Sequence, residues 1–135
     1  MFRLFILLSF VLAPLAFLTH PVSAATVNVK TKSGRSVSVT SYGNFNKGSC
    51  ASAALPRFKV TRKPKHGQFR HVARTVKITN KGRCKGKSIK AIIVIYTPEK
   101  GFRGQDSGQV SFTHFRYTEG AATRHVGVKV NVTVE

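Results

Sequence analysis

From Val126 to Val134 every second residue is valine, and Gly127, Lys129, Asn131 and Thr133 fill the places between. A period of two puts the valines on one side of an extended chain and the small and polar residues on the other. The segment therefore predicts a strand with one buried and one wet face. No window of the chain after residue 24 carries the 3.6-residue apolar period of an amphipathic helix, whereas alternation recurs.

Val27 and Val29 precede Lys32-Ser33-Gly34-Arg35, and Val37 and Val39 follow it. Two alternating runs about a glycine turn predict a hairpin. Ile89 to Tyr96 is apolar on both parities except at Lys90, which predicts a central strand covered on both faces. Phe58–Arg62, Gln68–Val72 and Thr75–Thr79 read as shorter strands. Between Val110 and Tyr117 the apolar parity changes near Thr113 and His114, which predicts either a β-bulge there or a strand that switches its covered face. Gly43 to Leu55, rich in Gly, Asn, Ser and Ala, reads as a long loop anchored by Cys50. About seven short strands separated by turns predict an all-β, antiparallel sandwich or barrel.

The N-terminal segment has a different composition. Arg3 precedes an apolar run from Leu4 to Leu18, and Val22-Ser23-Ala24 supplies small residues at the −3 and −1 places. This order is that of a secretory signal peptide, residues 1–24, cleaved before a single domain of residues 25–135. Interrupted by Pro14, the run is shorter than the ~20 residues that span a bilayer. No second membrane segment follows, and the expected location is periplasmic or secreted.

In that compartment Cys50 and Cys84, the only two cysteines, are expected to pair. A zinc site would need two further ligands at suitable spacing, and no Cys-x-x-Cys is present.

Charge is the strongest functional signal. Lys and Arg number 23 against 4 Asp and Glu, a formal +19 of which the leader's Arg3 supplies one. Arg57, Lys59, Arg62, Lys63, Lys65, Arg70, Arg74 and Lys77 crowd one stretch, and Lys81, Arg83, Lys85, Lys87 and Lys90 follow it. On short strands these are expected to form one continuous positive face around the cysteine bridge. Such a field repels itself and attracts an external polyanion. Export directs the choice to anionic polysaccharide, an envelope polymer or lipid headgroups, and away from nucleic acid. Base stacking has little to work with, since only Phe58 and Phe69 interleave the basic run. Another envelope protein held at a sheet edge is the rival partner.

One further segment, Tyr96-Thr-Pro-Glu-Lys-Gly-Phe-Arg-Gly-Gln-Asp106, contains the chain's only aspartate. Its Tyr96-x-Pro98, followed by Gly101-Phe102-x-Gly104-x-Asp106-Ser107, resembles bacterial immunoglobulin-like and cadherin-like domains of cell-surface proteins. Pro64-Lys65-His66-Gly67-Gln68-Phe69 is similar to a turn-and-strand element of the same family. The resemblance covers roughly residues 64–135 and implies an Ig-like β-sandwich in which a Gly-Phe-x-Gly-x-Asp turn crosses between sheets. In physical terms Pro98 stops a strand, Gly101 and Gly104 admit positive φ, Phe102 closes one end of the core, and Asp106 accepts N–H bonds within its turn. The chain departs from the family in its few acidic turn residues, with Tyr117-Thr-Glu-Gly120 at one such turn, and in a late start to the aromatic strand at Val110. Both departures argue against calcium-linked tandem repeats and for a free-standing domain.

Catalysis has no evident seat. A Ser-His-Asp arrangement would require Asp106, and no Gly-x-Ser-x-Gly elbow is present. Calcium takes six or more oxygens, commonly from several carboxylates. His66 and His71 flank a turn and make at most a weak metal carrier. Asn131-Val-Thr133 matches a glycosylation sequon but lies within a strand. The sequence thus predicts a non-catalytic binding domain without cofactor or metal.

Overall fold

The computed structural model describes residues 24–115 and 123–135. The expected leader up to residue 23 and the turn at Tyr117–Gly120 lie outside the described residues. Among the described residues seven strands form two sheets: β1 (Ala25–Thr31), β2 (Val37–Gly43), β3 (Arg57–Arg62), β4 (Gly67–Lys77), β5 (Ser88–Pro98), β6 (Gly104–Phe115) and β7 (Thr123–Val134). The four-stranded sheet has the order β1-β7-β6-β3 and the three-stranded sheet β2-β5-β4. Among the described residues there is no helix.

The alternating valines of β7 do what their period requires. Val128, Val130, Val132 and Val134 are buried, together with Val110 and Phe112 of β6. Val39, Ile92, Val94 and Tyr96 of the other sheet complete the same core. The two sheets thus bury their facing sides against each other, and Tyr42 stacks on Phe112 across the gap at 5.1 Å.

Several sequence expectations need correction. β1 and β2 do not form a hairpin. Residues 32–36 carry the chain from one sheet to the other, and β1 runs parallel to β7, with Val27 opposite Val130 and Val29 opposite Val132. The sandwich is therefore not wholly antiparallel. Glu135 N–H donates to Thr31 O at 2.8 Å and Ser33 N–H to Glu135 O at 3.1 Å, closing this edge. Parity alone cannot separate the two arrangements, because both bury the same valines.

The shorter strands expected at Gln68–Val72 and Thr75–Thr79 are one strand, β4, paired with β5 without interruption from Gly67 to Lys77. Ala73 and Arg74 carry no turn chemistry that would break it. Nor is there a bulge in the β6–β7 ladder, which runs unbroken from Gly104 to Phe115. The apparent change of parity is Phe115 facing outward, 52% exposed. β6 also starts at Gly104, ahead of the Val110 start that its aromatic residues indicated. Register shifts do occur elsewhere, between Ser38 and Thr40 of β2 and between Val60 and Arg62 of β3.

β5 is the centre of its sheet, and its two apolar parities have separate uses. Ile92, Val94 and Tyr96 face the main core. Ile89 lies on the outer side, where it joins Ile78, Cys84, Phe45, Cys50 and Val76 in a second cluster. Ile93 and Ile95, farther along that outer side, stay only half-buried. The expected cover on both faces therefore extends over one end of the strand and not the other.

Candidate functional site: a disulfide-bound basic end opposite an Asp106-locked end

Chain direction assigns each turn to one of two ends of the sandwich. The turns after β1, β3 and β5 lie at one end, with the start of β6 and the end of β7. The loops after β2 and β4 lie at the other.

The first end is organised by Asp106. Its Oδ1 accepts the N–H of Lys65 at 2.9 Å and that of Ser107 at 2.8 Å. Its Oδ2 accepts the N–H of His66 at 3.0 Å and the Tyr96 hydroxyl at 2.7 Å. The bonds reach across to the β3–β4 turn and to β5, beyond the local turn the sequence indicated. Glu99 N–H donates to His66 O at 2.9 Å, and the His66 ring stacks on Phe102 at 4.1 Å. The two sequence segments carrying the family resemblance are thus one unit in space. Gly101 and Gly104 have φ of 85° and 125°, the left-handed values expected of them. Gly67 is needed for a different reason: a Cβ there would lie 2.6 Å from the Tyr96 ring.

Asp106 is only 6% exposed. Burial by itself would raise its pKa, but the hydrogen bonds from Tyr96 and from the Lys65, His66 and Ser107 amides more than offset this and hold it below the usual carboxylate value. Burial first, then the hydrogen bond to Asp106 and the negative charges of Asp106 and Glu99, push the Tyr96 phenol well above its ordinary range. Both carboxylate oxygens are occupied, so Asp106 acts as a lock on the backbone. His66 has Phe102 as its ring partner and His71 has Phe58, at 4.7 Å. Among the described residues no group of three or more His, Cys, Asp or Glu gathers as a metal site.

The opposite end is built on Cys50–Cys84, whose bridge joins the loop after β2 to the loop after β4 with a Cα–Cα distance of 5.4 Å. Asn46 organises the first loop, its Oδ1 accepting from Gly48 N at 2.8 Å and Ser49 N at 3.0 Å. In the second, Ile78 N donates to Lys87 O at 2.9 Å, Gly86 N to Ile78 O at 2.8 Å and Lys87 N to Cys84 O at 3.1 Å. Gly82 and Gly86 take φ of 136° and 82° to allow these turns. The result is a compact loop from which Lys81, Arg83, Lys85 and Lys87 all project into solvent. Lys47, Lys77 and Lys90 are exposed at the same end.

The single continuous positive face does not form. Arg57 and Lys59 sit opposite Thr113 and Ser111, on the outer side of the four-stranded sheet, because Phe58 opposite Phe112 faces the core. Arg70 and Arg74 pair with Ile95 and Ala91, on the outer side of the other sheet. Arg62, Lys63 and Lys65 belong to the Asp106 end, where Arg62 donates to Ser107 Oγ at 3.2 Å. Strand alternation and the β3–β4 reversal divide a run that is continuous in sequence.

The division has an electrostatic consequence. Glu99, Asp106 and Glu135, the acids among the described residues, all belong to the Asp106 end. There Lys30 and Glu135 form an ion pair at 3.3 Å, and His66 Nδ1 lies 3.9 Å from a Glu99 carboxylate oxygen. Among the described residues no cation of the disulfide loops has a carboxylate partner. His114 of β6, near this end, adds little charge, because burial and then Arg124 lower its pKa. Close by, a cavity of about 700 Å³ is lined in part by Phe45, Leu55, His114 and Phe115.

Fold and charge together define a class: a disulfide-bonded, strongly basic, two-sheet all-β domain. Comparison with protein-family models, with curated proteins and with solved structures gives no match. The bridge indicates a non-reducing compartment, and no helix among the described residues is long and apolar enough to cross a membrane.

Proposed function

We propose that the chain is an exported, non-catalytic, Ig-like domain that binds an anionic polymer of the cell envelope or extracellular space through its disulfide end. The observation that carries this reading is the loop displaying Lys81, Arg83, Lys85 and Lys87, held by a bridge and a backbone hydrogen-bond network, with no described carboxylate to neutralise it. Cations fixed in place lose less freedom on meeting a repeating anion than cations on a floppy tail. A periplasmic or secreted location is supported by the leader-like first 24 residues and by the bridge.

The Ig-like assignment is supported by strand order as well as by the resemblance. Lettered along the chain, the sheets read A-G-F-C and B-E-D. An immunoglobulin constant-type sandwich divides its strands as ABED and CFG. Only the first strand changes sheets, by pairing with the last.

Retention on an immobilised acidic polysaccharide, eluted with a salt gradient, tests the function. Reversing Lys81, Arg83, Lys85 and Lys87 to Glu is expected to move elution to far lower salt, because attraction becomes repulsion within a Debye length of about 8–10 Å. Reversing Lys63, Lys65, Lys100 and Arg103 at the opposite end is expected to matter much less. Equal losses from both sets would mean that net charge alone drives adhesion. Salt-insensitive retention of the first variant would refute the proposal.

A further inference from the structure

The outer side of the three-stranded sheet has a feature that polymer binding leaves unused. Val72 of β4 and Ile93 of β5 are direct partners, and with Ile95 they floor a shallow depression of about 420 Å³. Arg70 and Arg74 stand on either side of Val72 along β4, both exposed, and Ser36 and Ser38 border the depression from the β2 side. No acid and no aromatic residue lines it.

We propose that this face binds an anionic phospholipid, with Arg70 and Arg74 on the phosphate and the upper part of an acyl chain over Val72, Ile93 and Ile95. Charge complementarity selects the anion, since both charged lining residues are arginines, whose planar fork suits phosphate. The apolar floor selects an amphiphile over a free anion. The size and character of the floor favour lipid over protein: a stable protein partner covers about 800 Å² per side and is enriched in aromatic contacts, whereas this floor is three branched aliphatic side chains. Cations beside a small apolar surface suit the boundary between headgroups and acyl chains. The site is separate from the disulfide loops and shares with the proposed polymer binding only the excess of positive charge.

Sedimentation of the protein with vesicles of phosphatidylglycerol and phosphatidylcholine provides the test, with glycerol phosphate as the headgroup lacking acyl chains. Arg70→Gln with Arg74→Gln, both at exposed positions, is expected to weaken vesicle binding by about thirty-fold, the loss of two basic contacts at a membrane surface. Ile93→Thr with Ile95→Thr is expected to abolish the part of vesicle binding that persists at high salt, and glycerol phosphate is expected to compete poorly. Elution from the acidic polysaccharide should be nearly unchanged in the isoleucine variant, while the Lys81–Lys87 reversal, which lowers that elution, should keep the salt-resistant vesicle binding. Wild-type vesicle affinity in the arginine variant overturns the proposal. So does efficient competition by glycerol phosphate, or a loss confined to binding of polyglutamate, which would assign the face to an acidic polypeptide.

Discussion

Asp106 is the residue on which most of one end depends. A buried carboxylate without partners would be costly, and this one accepts from three amides and a phenol. Asp106→Asn keeps the shape but turns one acceptor into a donor that faces N–H groups. It is expected to cost more than about 2 kcal/mol in urea unfolding, since hydrogen bonds to charged groups are worth about 1.5–3 kcal/mol each. The pH dependence has a definite sign. The folded-state pKa is depressed, so the contribution is fully present above the unfolded carboxyl value of about 3.9 and is lost as pH falls through the folded value. Stability measured from pH 6 down to pH 2 should therefore drop in the wild type, and the drop should be smaller in Asp106→Asn. Calcium should leave both melting temperatures unchanged; a calcium-dependent rise lost in the variant would make Asp106 a metal ligand instead.

At the scale of elements, the two loops joined by the bridge need it more than the strands do. The main core lies between the sheets, away from Cys50 and Cys84, and the bridge holds the smaller cluster of Ile78, Ile89 and Phe45 against the outer side of β5. With a sequence separation of 34 between its cysteines, it constrains the unfolded chain by about 3–4 kcal/mol in the loop-entropy model. Reduction, or Cys50→Ala with Cys84→Ala, should lower stability by an amount of that order and raise amide exchange in residues 44–52 and 78–87 before it does so in β6 and β7. Uniform loss of protection across all strands would mean that the bridge supports the whole sandwich. Salt-dependent polymer binding should weaken in the same variant, because the loop cations would lose their fixed spacing.

For the molecule as a whole, a formal +19 is a constant load on the compact state. Salt screens that repulsion and also screens attraction to any anion. The two effects should appear with opposite signs: from low to physiological ionic strength the melting temperature is expected to rise while affinity for the acidic polymer falls. Calorimetry and column elution on the same samples check this. A melting temperature that falls with salt would mean that the native ion pairs, such as Lys30–Glu135, outweigh the repulsion.

Much of this protein is legible in its residues taken locally. Alternation alone identifies β7 and the class of fold, because a period of two has a single structural meaning for a chain that must bury one face. Gly101 and Gly104 are legible as positive-φ positions, and the lone cysteine pair as a bridge. What local pattern cannot carry is the identity of the neighbour. The valines of β1 are buried equally well in a hairpin or beside β7, and only competition among sheet edges decides for β7. Two of the four donors to Asp106 lie some forty residues earlier, at Lys65 and His66. The basic run from Arg57 to Lys90 is continuous in sequence, yet strand alternation and chain reversal send its members to opposite faces and ends. Period sets which side of a strand is wet; long-range packing decides which wet surfaces adjoin, and so where the charge collects.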